Sequence, residues 1–158
     1  MKKYIVKLLT VLVFLSVFPA VSLAQHQHGG GQSEAMKMDS KEVLVEGVKA
    51  VFQIMSNQEH VKMLADMKMN ETPEAGTTHN ITVVLMDDQT RKEITDAQVK
   101  MKVIEPGGTD QIKTLKAEKE MKSYDGYFNL SAKGRYQVLI SFKTGEKTRN
   151  AGIYYDVK

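Results

Sequence analysis

The sequence predicts an all-β fold: a seven-stranded antiparallel, immunoglobulin-like sandwich with one short amphipathic helix after the first strand. Three observations carry this expectation. Apolar and polar residues alternate in short runs, turn residues bound those runs at close intervals, and a single stretch has a helical period. Seven such runs within about 115 residues favour two packed sheets over alternating strand and helix units.

In chain order, Lys2, Lys3 and Lys7 precede an apolar run from Leu8 to Phe18, and Ser22 and Ala24 stand where a signal peptidase reads small residues. This is the layout of a cleavable signal peptide over 1–24, and the apolar run is too short for a membrane span of roughly 20 residues. Residues 25–41, with Gln25-His26-Gln27-His28 and three glycines, have no hydrophobic period and read as a flexible linker. The folded domain is expected over 42–158.

Within it, Val48, Ala50, Phe52 and Ile54 alternate with Lys49, Val51, Gln53 and Met55, so 43–55 reads as one strand in which Gly47 marks a bulge. Residues 57–69 change period. His60, Met63, Leu64 and Met67 fall on one arc of a helix, opposite Lys62 and Asp66. Pro73 to Gly76 end that segment. The remaining strands are read at 79–86, 97–103, 112–117, 126–130, 136–142 and 151–157, divided by Asp87-Asp88-Gln89-Thr90, Pro106-Gly107-Gly108 and similar turns. Tyr136, opening the clearest strand after Lys133-Gly134-Arg135, suits either a tyrosine corner or an ordinary core position.

Composition narrows the function. The 158-residue precursor carries 22 basic and 19 acidic side chains; removal of residues 1–24 with their three lysines leaves 134 residues and 19 of each sign. A formally neutral chain lacks the positive field that nucleic acid binding requires, and it has no polybasic patch for a membrane surface. Without any cysteine there is no disulfide, thiolate site or lipid anchor after the signal. No nucleophile elbow, zinc-protease helix, phosphate loop or dinucleotide fingerprint is present, so an enzyme is not expected.

The informative feature is the placement of methionine and histidine. Ten Met occur, nine beyond the signal segment, and all four His with seven of those nine Met lie between residues 26 and 86. Thioether and imidazole are the soft and borderline metal ligands left to a cysteine-free chain, and they favour copper, with thioethers selecting Cu(I). His60, Met63 and Met67 stand three and four residues apart on one helical face. With Met69 and His79 they form the expected ligand set, and His26, His28, Met36 and Met38 form a weaker one. Two bland readings stay open beside it: Met63 and Met67 as the buried face of the helix, and His79 as a strand-border residue facing water.

Thr78-His79-Asn80-Ile81-Thr82-Val83, Asp96-Ala97-Gln98-Val99, Tyr124-Asp125-Gly126-Tyr127 and Gly134-Arg135-Tyr136 together resemble the YtkA-like domain of small exported proteins, related in architecture to the CopC-type periplasmic copper carriers. The resemblance spans 42–158. It implies an immunoglobulin-like fold, export, and handling of copper or another soft ion without catalysis. A CopC-type Cu(II) site begins with a histidine at the mature N-terminus, whereas this chain would begin at Gln25. The expectation is therefore an exported, non-catalytic protein that captures or transfers copper in the periplasm, with an envelope metal-transport or efflux protein as partner. The competing expectation is an envelope interaction module whose Met-rich helix is an apolar contact surface without metal.

Overall fold

The computed structural model describes residues 39–158. The signal segment, most of the linker and the weaker candidates His26, His28, Met36 and Met38 lie outside the described residues. Two antiparallel sheets form the sandwich. The first has the order β1 (Asp39–Val45), β2 (Val48–Ser56), β3 (His79–Asp87), β7 (Ser123–Phe128), β6 (Lys116–Glu118). The second has the order β5 (Asp110–Thr114), β4 (Gln98–Ile104), β8 (Gly134–Thr144), β9 (Lys147–Val157). One helix, α1 (Asn57–Asp66), follows β2.

The sandwich is as the alternation predicts, but nine strands rather than seven occur among the described residues, because two of the expected strands each divide. The run 43–55 folds back at Glu46 and Gly47, whose φ values of 45° and 76° make the left-handed pair that a two-residue hairpin turn needs. Gly47 is thus a turn residue and not a bulge, and the helix follows the second strand. The run 112–117 breaks at Leu115, which is buried and donates its N–H to the Val99 carbonyl at 2.8 Å. The chain there leaves the β4 side for β7, passing from one sheet to the other.

The inner faces follow the period of two. Val48, Ala50, Phe52 and Ile54 of β2, Ile81, Val83 and Leu85 of β3, Val99, Met101 and Val103 of β4, and Tyr136, Val138, Ile140 and Phe142 of β8 are all buried in one cluster. Tyrosine hydroxyls pin its rim. Tyr136 accepts the Ala132 N–H at 2.9 Å, the corner bond its position allows, while Tyr124 accepts from Ala97 N–H at 2.8 Å and donates to the Ile94 carbonyl at 2.9 Å.

The outer face of the first sheet is what positions the site. Asn80, Thr82, Ser123, Asp125 and Tyr127 point away from the core, yet all are buried. A cover explains this. Ser56 starts α1 with a reciprocal capping box, accepting the Glu59 N–H at 3.2 Å while its own N–H donates to the Glu59 carboxylate at 2.8 Å. The helix stops after ten residues. Lys68 takes a left-handed φ of 59°, its N–H reaches the Ala65 carbonyl at 3.0 Å, and Met69 N–H reaches Leu64 at 2.8 Å, closing a Schellman motif. The connection 67–78 is tied down by Asn57, whose side chain donates to the Thr77 carbonyl at 3.0 Å, and by Lys113, which contacts Glu74 at 2.6 Å.

Candidate metal centre

Strand register defines the floor of the site. Met55, Asn80 and Tyr127 form one row across β2, β3 and β7, and Gln53, Thr82 and Asp125 form the next. On this floor stands His60, which with Leu64 is the buried face of α1. His60 is fully buried; its Nδ1 lies 2.9 Å from the Tyr127 hydroxyl, and the two rings meet edge to face with centroids 5.5 Å apart. Its Nε2 is buried with no hydrogen-bond partner. Buried polar atoms are normally satisfied, so this imidazole nitrogen is open to a water or a metal ion.

Two carboxylates supply the rest. A ring nitrogen of His60 and one oxygen each from Glu71 and Asp125 all lie within 4.8 Å of one another. With Nδ1 occupied by Tyr127, Nε2 is the nitrogen available to an ion. Asp125 is held from below by a relay in which the Thr82 hydroxyl donates to Asn80 Oδ1 and the Asn80 amide donates to Asp125 Oδ2, both at 2.9 Å. That relay leaves the other carboxylate oxygen free and fixes its direction, as outer partners of metal ligands commonly do. Glu71 comes from the connection after α1 and is half-buried. A cleft of about 200 Å³ lined by Glu71, Glu74, Lys113, Lys116, Asp125 and Tyr127, among others, opens the carboxylates to solvent.

The electrostatics suit a cation. Burial pushes the Asp125 carboxyl above its ordinary range; the Asn80 hydrogen bond opposes this, and Glu71 and Glu118 push it further up. Burial also lowers the His60 imidazole, against an opposing pull from Asp125 and Glu118, which favours the neutral, metal-competent ring. The Tyr127 hydroxyl is pushed up by burial and then by Glu71, Asp125 and Glu118, and it stays protonated. In the tautomer with the proton on Nδ1, His60 donates to Tyr127 and its Nε2 carries the lone pair that a metal ion would take.

Of the residues singled out in the sequence, His60 is therefore at the centre. Met63 and Met69 are half-buried, and Met67 is 50% exposed at the helix C-cap. His79 is not brought to His60. It shares the inner side of β3 with Ile81 and Val83, its Nδ1 lies 2.8 Å from the Thr78 hydroxyl, and its ring stands 6.3 Å from that of Tyr155 in the other sheet. The sheet separates the two histidines because 79 and 80 point to opposite faces. Sequence reasoning passed over Glu71 and Asp125. Glu71 lies in a loop without a pattern, and Asp125, just ahead of the strand read at 126–130, is marked only by its place between Tyr124 and Tyr127.

A small β-sandwich with a carboxylate and histidine centre on the outer face of one sheet is the class that fold and site define. The chain belongs to the YtkA-like family, whose description matches residues 56–141. Comparison with curated proteins gave no match. Among solved structures, FetP of uropathogenic Escherichia coli strain F11, recombinantly expressed in the periplasm of E. coli BL21(DE3), is similar with a TM-score of 0.56 at 8% identity, over 76% of this chain and 94% of its own. A copper-bound variant of FetP, with one glutamate replaced by glutamine, gives 0.56 at 10% identity over 75% and 95%. A DUF4426 family protein of Pseudomonas aeruginosa PAO1 gives 0.52 at 13% identity over 75% and 94%. At these identities the likeness is one of fold.

Proposed function

We propose that this protein is an exported, non-catalytic metal-binding protein that captures a divalent transition ion, Cu(II) foremost, at His60, Glu71 and Asp125. The observation that carries the reading is the fully buried His60, with an unpartnered Nε2, beside two carboxylates within 4.8 Å. One imidazole with two carboxylates is a borderline donor set, suited to Cu(II), Zn(II) or Mn(II), and Cu(II) heads the affinity order for divalent ions. The copper-bound FetP variant supports copper as cargo for such a sandwich. Export is supported by the signal-like N-terminus.

Met67, half-exposed after the last turn of α1, favours a second role for the methionines. With Met63 and Met69 it forms the adaptable apolar surface through which an envelope metal-transport partner docks, or by which Cu(I) is handed on. Titration of the protein purified after export tests the main reading, with Cu(II) and Zn(II) measured against a chromophoric chelator. One equivalent should bind, and His60→Ala should weaken binding by about a hundredfold or more. Binding that is absent, or indifferent to His60, would sink it.

A further inference from the structure

We propose that Lys116 is a built-in competitor for the metal, a tethered cation that occupies the carboxylate cluster and keeps the ion exchangeable. This regulation of the site rests on the metal-binding reading above. Lys116 stands on the three-residue edge strand β6, directly opposite Asp125 in register and on the same outer face. Its ammonium lies 2.6 Å from Glu118 Oε1 and 3.8 Å from Glu71 Oε1. One cation thus contacts two carboxylates, of which Glu71 is an oxygen donor of the centre, and it stands across the strand pair from the other donor, Asp125.

The side chains differ in how freely they can move. Glu71 and Glu118 have side chains 27% and 14% exposed, whereas that of Lys116 is 68% exposed, so the ammonium can swing into solvent while the carboxylates stay. Lysine suits this task because its charge is a compact point on a flexible stem, without the two-pronged grip of a guanidinium. A divalent ion bound between Glu71 and Asp125 repels the ammonium and displaces it from Glu71. Removal of the ion lets it return, so part of the repulsion between the vacated carboxylates is offset. Capture and release then exchange one counter-charge for another.

Removing this charge should tighten metal binding. A dication and an ammonium about 5 Å apart repel one another, even with water-like screening, by enough to change affinity about tenfold or more. The test is a chelator-competition titration of the exported protein with Zn(II) and Cu(II), comparing wild type, Lys116→Gln, Lys116→Arg and His60→Ala at low and high salt. Lys116→Gln should bind about tenfold tighter, with slower release, and the gain should shrink at high salt, where the repulsion is screened. Lys116→Arg should bind no tighter than wild type. If His60→Ala abolishes binding but Lys116→Gln binds equally or more weakly, the competitor role is overturned and the site stands. If binding is absent or does not depend on His60, the site itself falls, and the competitor role with it.

Discussion

Replacing Asp125 by asparagine should make the metal-free protein more stable while removing its affinity for metal. The carboxylate oxygens of Asp125 and Glu71 lie within 4.8 Å. Two unit negative charges at that separation repel by about 1 kcal/mol with water-like screening and by about 3 to 4 kcal/mol at an effective dielectric of about 20. Lys116 offsets part of this, and burial of Asp125 adds to it. Asparagine keeps the shape and the oxygen that accepts the Asn80 amide at 2.9 Å, so the relay beneath survives. A net gain of about 1 to 2 kcal/mol follows, or roughly 3 to 6 °C in the melting temperature of a domain this size. The sign with pH is fixed: a carboxyl whose folded pKa is raised costs stability only when ionised. The gain should therefore be full near pH 7.5 and fade as the pH falls through the raised value towards the ordinary 3.8. Thermal melts with chelator near pH 7.5 and at about pH 4, with a metal titration alongside, measure all three effects. Asp125→Asn melting below wild type by the same margin at both pH values, or binding metal as well as wild type, would refute the reasoning.

Other consequences can be checked on the same protein. Burial lowers the pKa of both His60 and His79, so the unfolded chain gains protons first and metal-free stability should fall as the pH drops below 6.5. His60→Phe should make that slope in urea melts shallower without abolishing it, since His79 keeps its share. Tyr136→Phe leaves the Ala132 N–H without its partner and should cost about 1 to 2 kcal/mol in denaturant unfolding. Gly134 has a φ of 125°, and a Cβ there would meet the Pro106 ring at 2.9 Å, so Gly134→Ala should cost about 1 to 3 kcal/mol by the same assay. Met67→Leu, at a half-exposed position, should leave both the melting temperature and Cu(II) affinity unchanged within error.

The alternation of apolar residues made the sandwich legible, because the inner faces of β2, β3, β4 and β8 keep the period without interruption. Both divided strands were hidden for local reasons. Glu46-Gly47 is a weaker hairpin signal than Asn-Gly or Asp-Gly, and the break at Leu115 moves the chain between sheets without a turn residue or a loss of hydrophobicity. One of the three residues of the candidate site was legible from a pattern too. His60 showed itself as a polar residue on the apolar arc of a helix, which the structure buries completely. Asp125 and Glu71 meet it only through strand pairing and a loop anchored at Glu74 and Thr77, contacts that are long in sequence and leave no spacing to read. Soft donors drew attention to the methionines because they are compositionally unusual, whereas carboxylates are too common on any surface to stand out.

The central claim is most directly tested by the crystal structure of the protein loaded with Zn(II) or Cu(II), with the ion placed by its anomalous scattering. The account predicts one ion bonded to His60 Nε2 and to oxygens of Glu71 and Asp125, at about 2.0 to 2.2 Å for zinc. An empty pocket at His60, with the ion instead on the methionines or on His79, would contradict it.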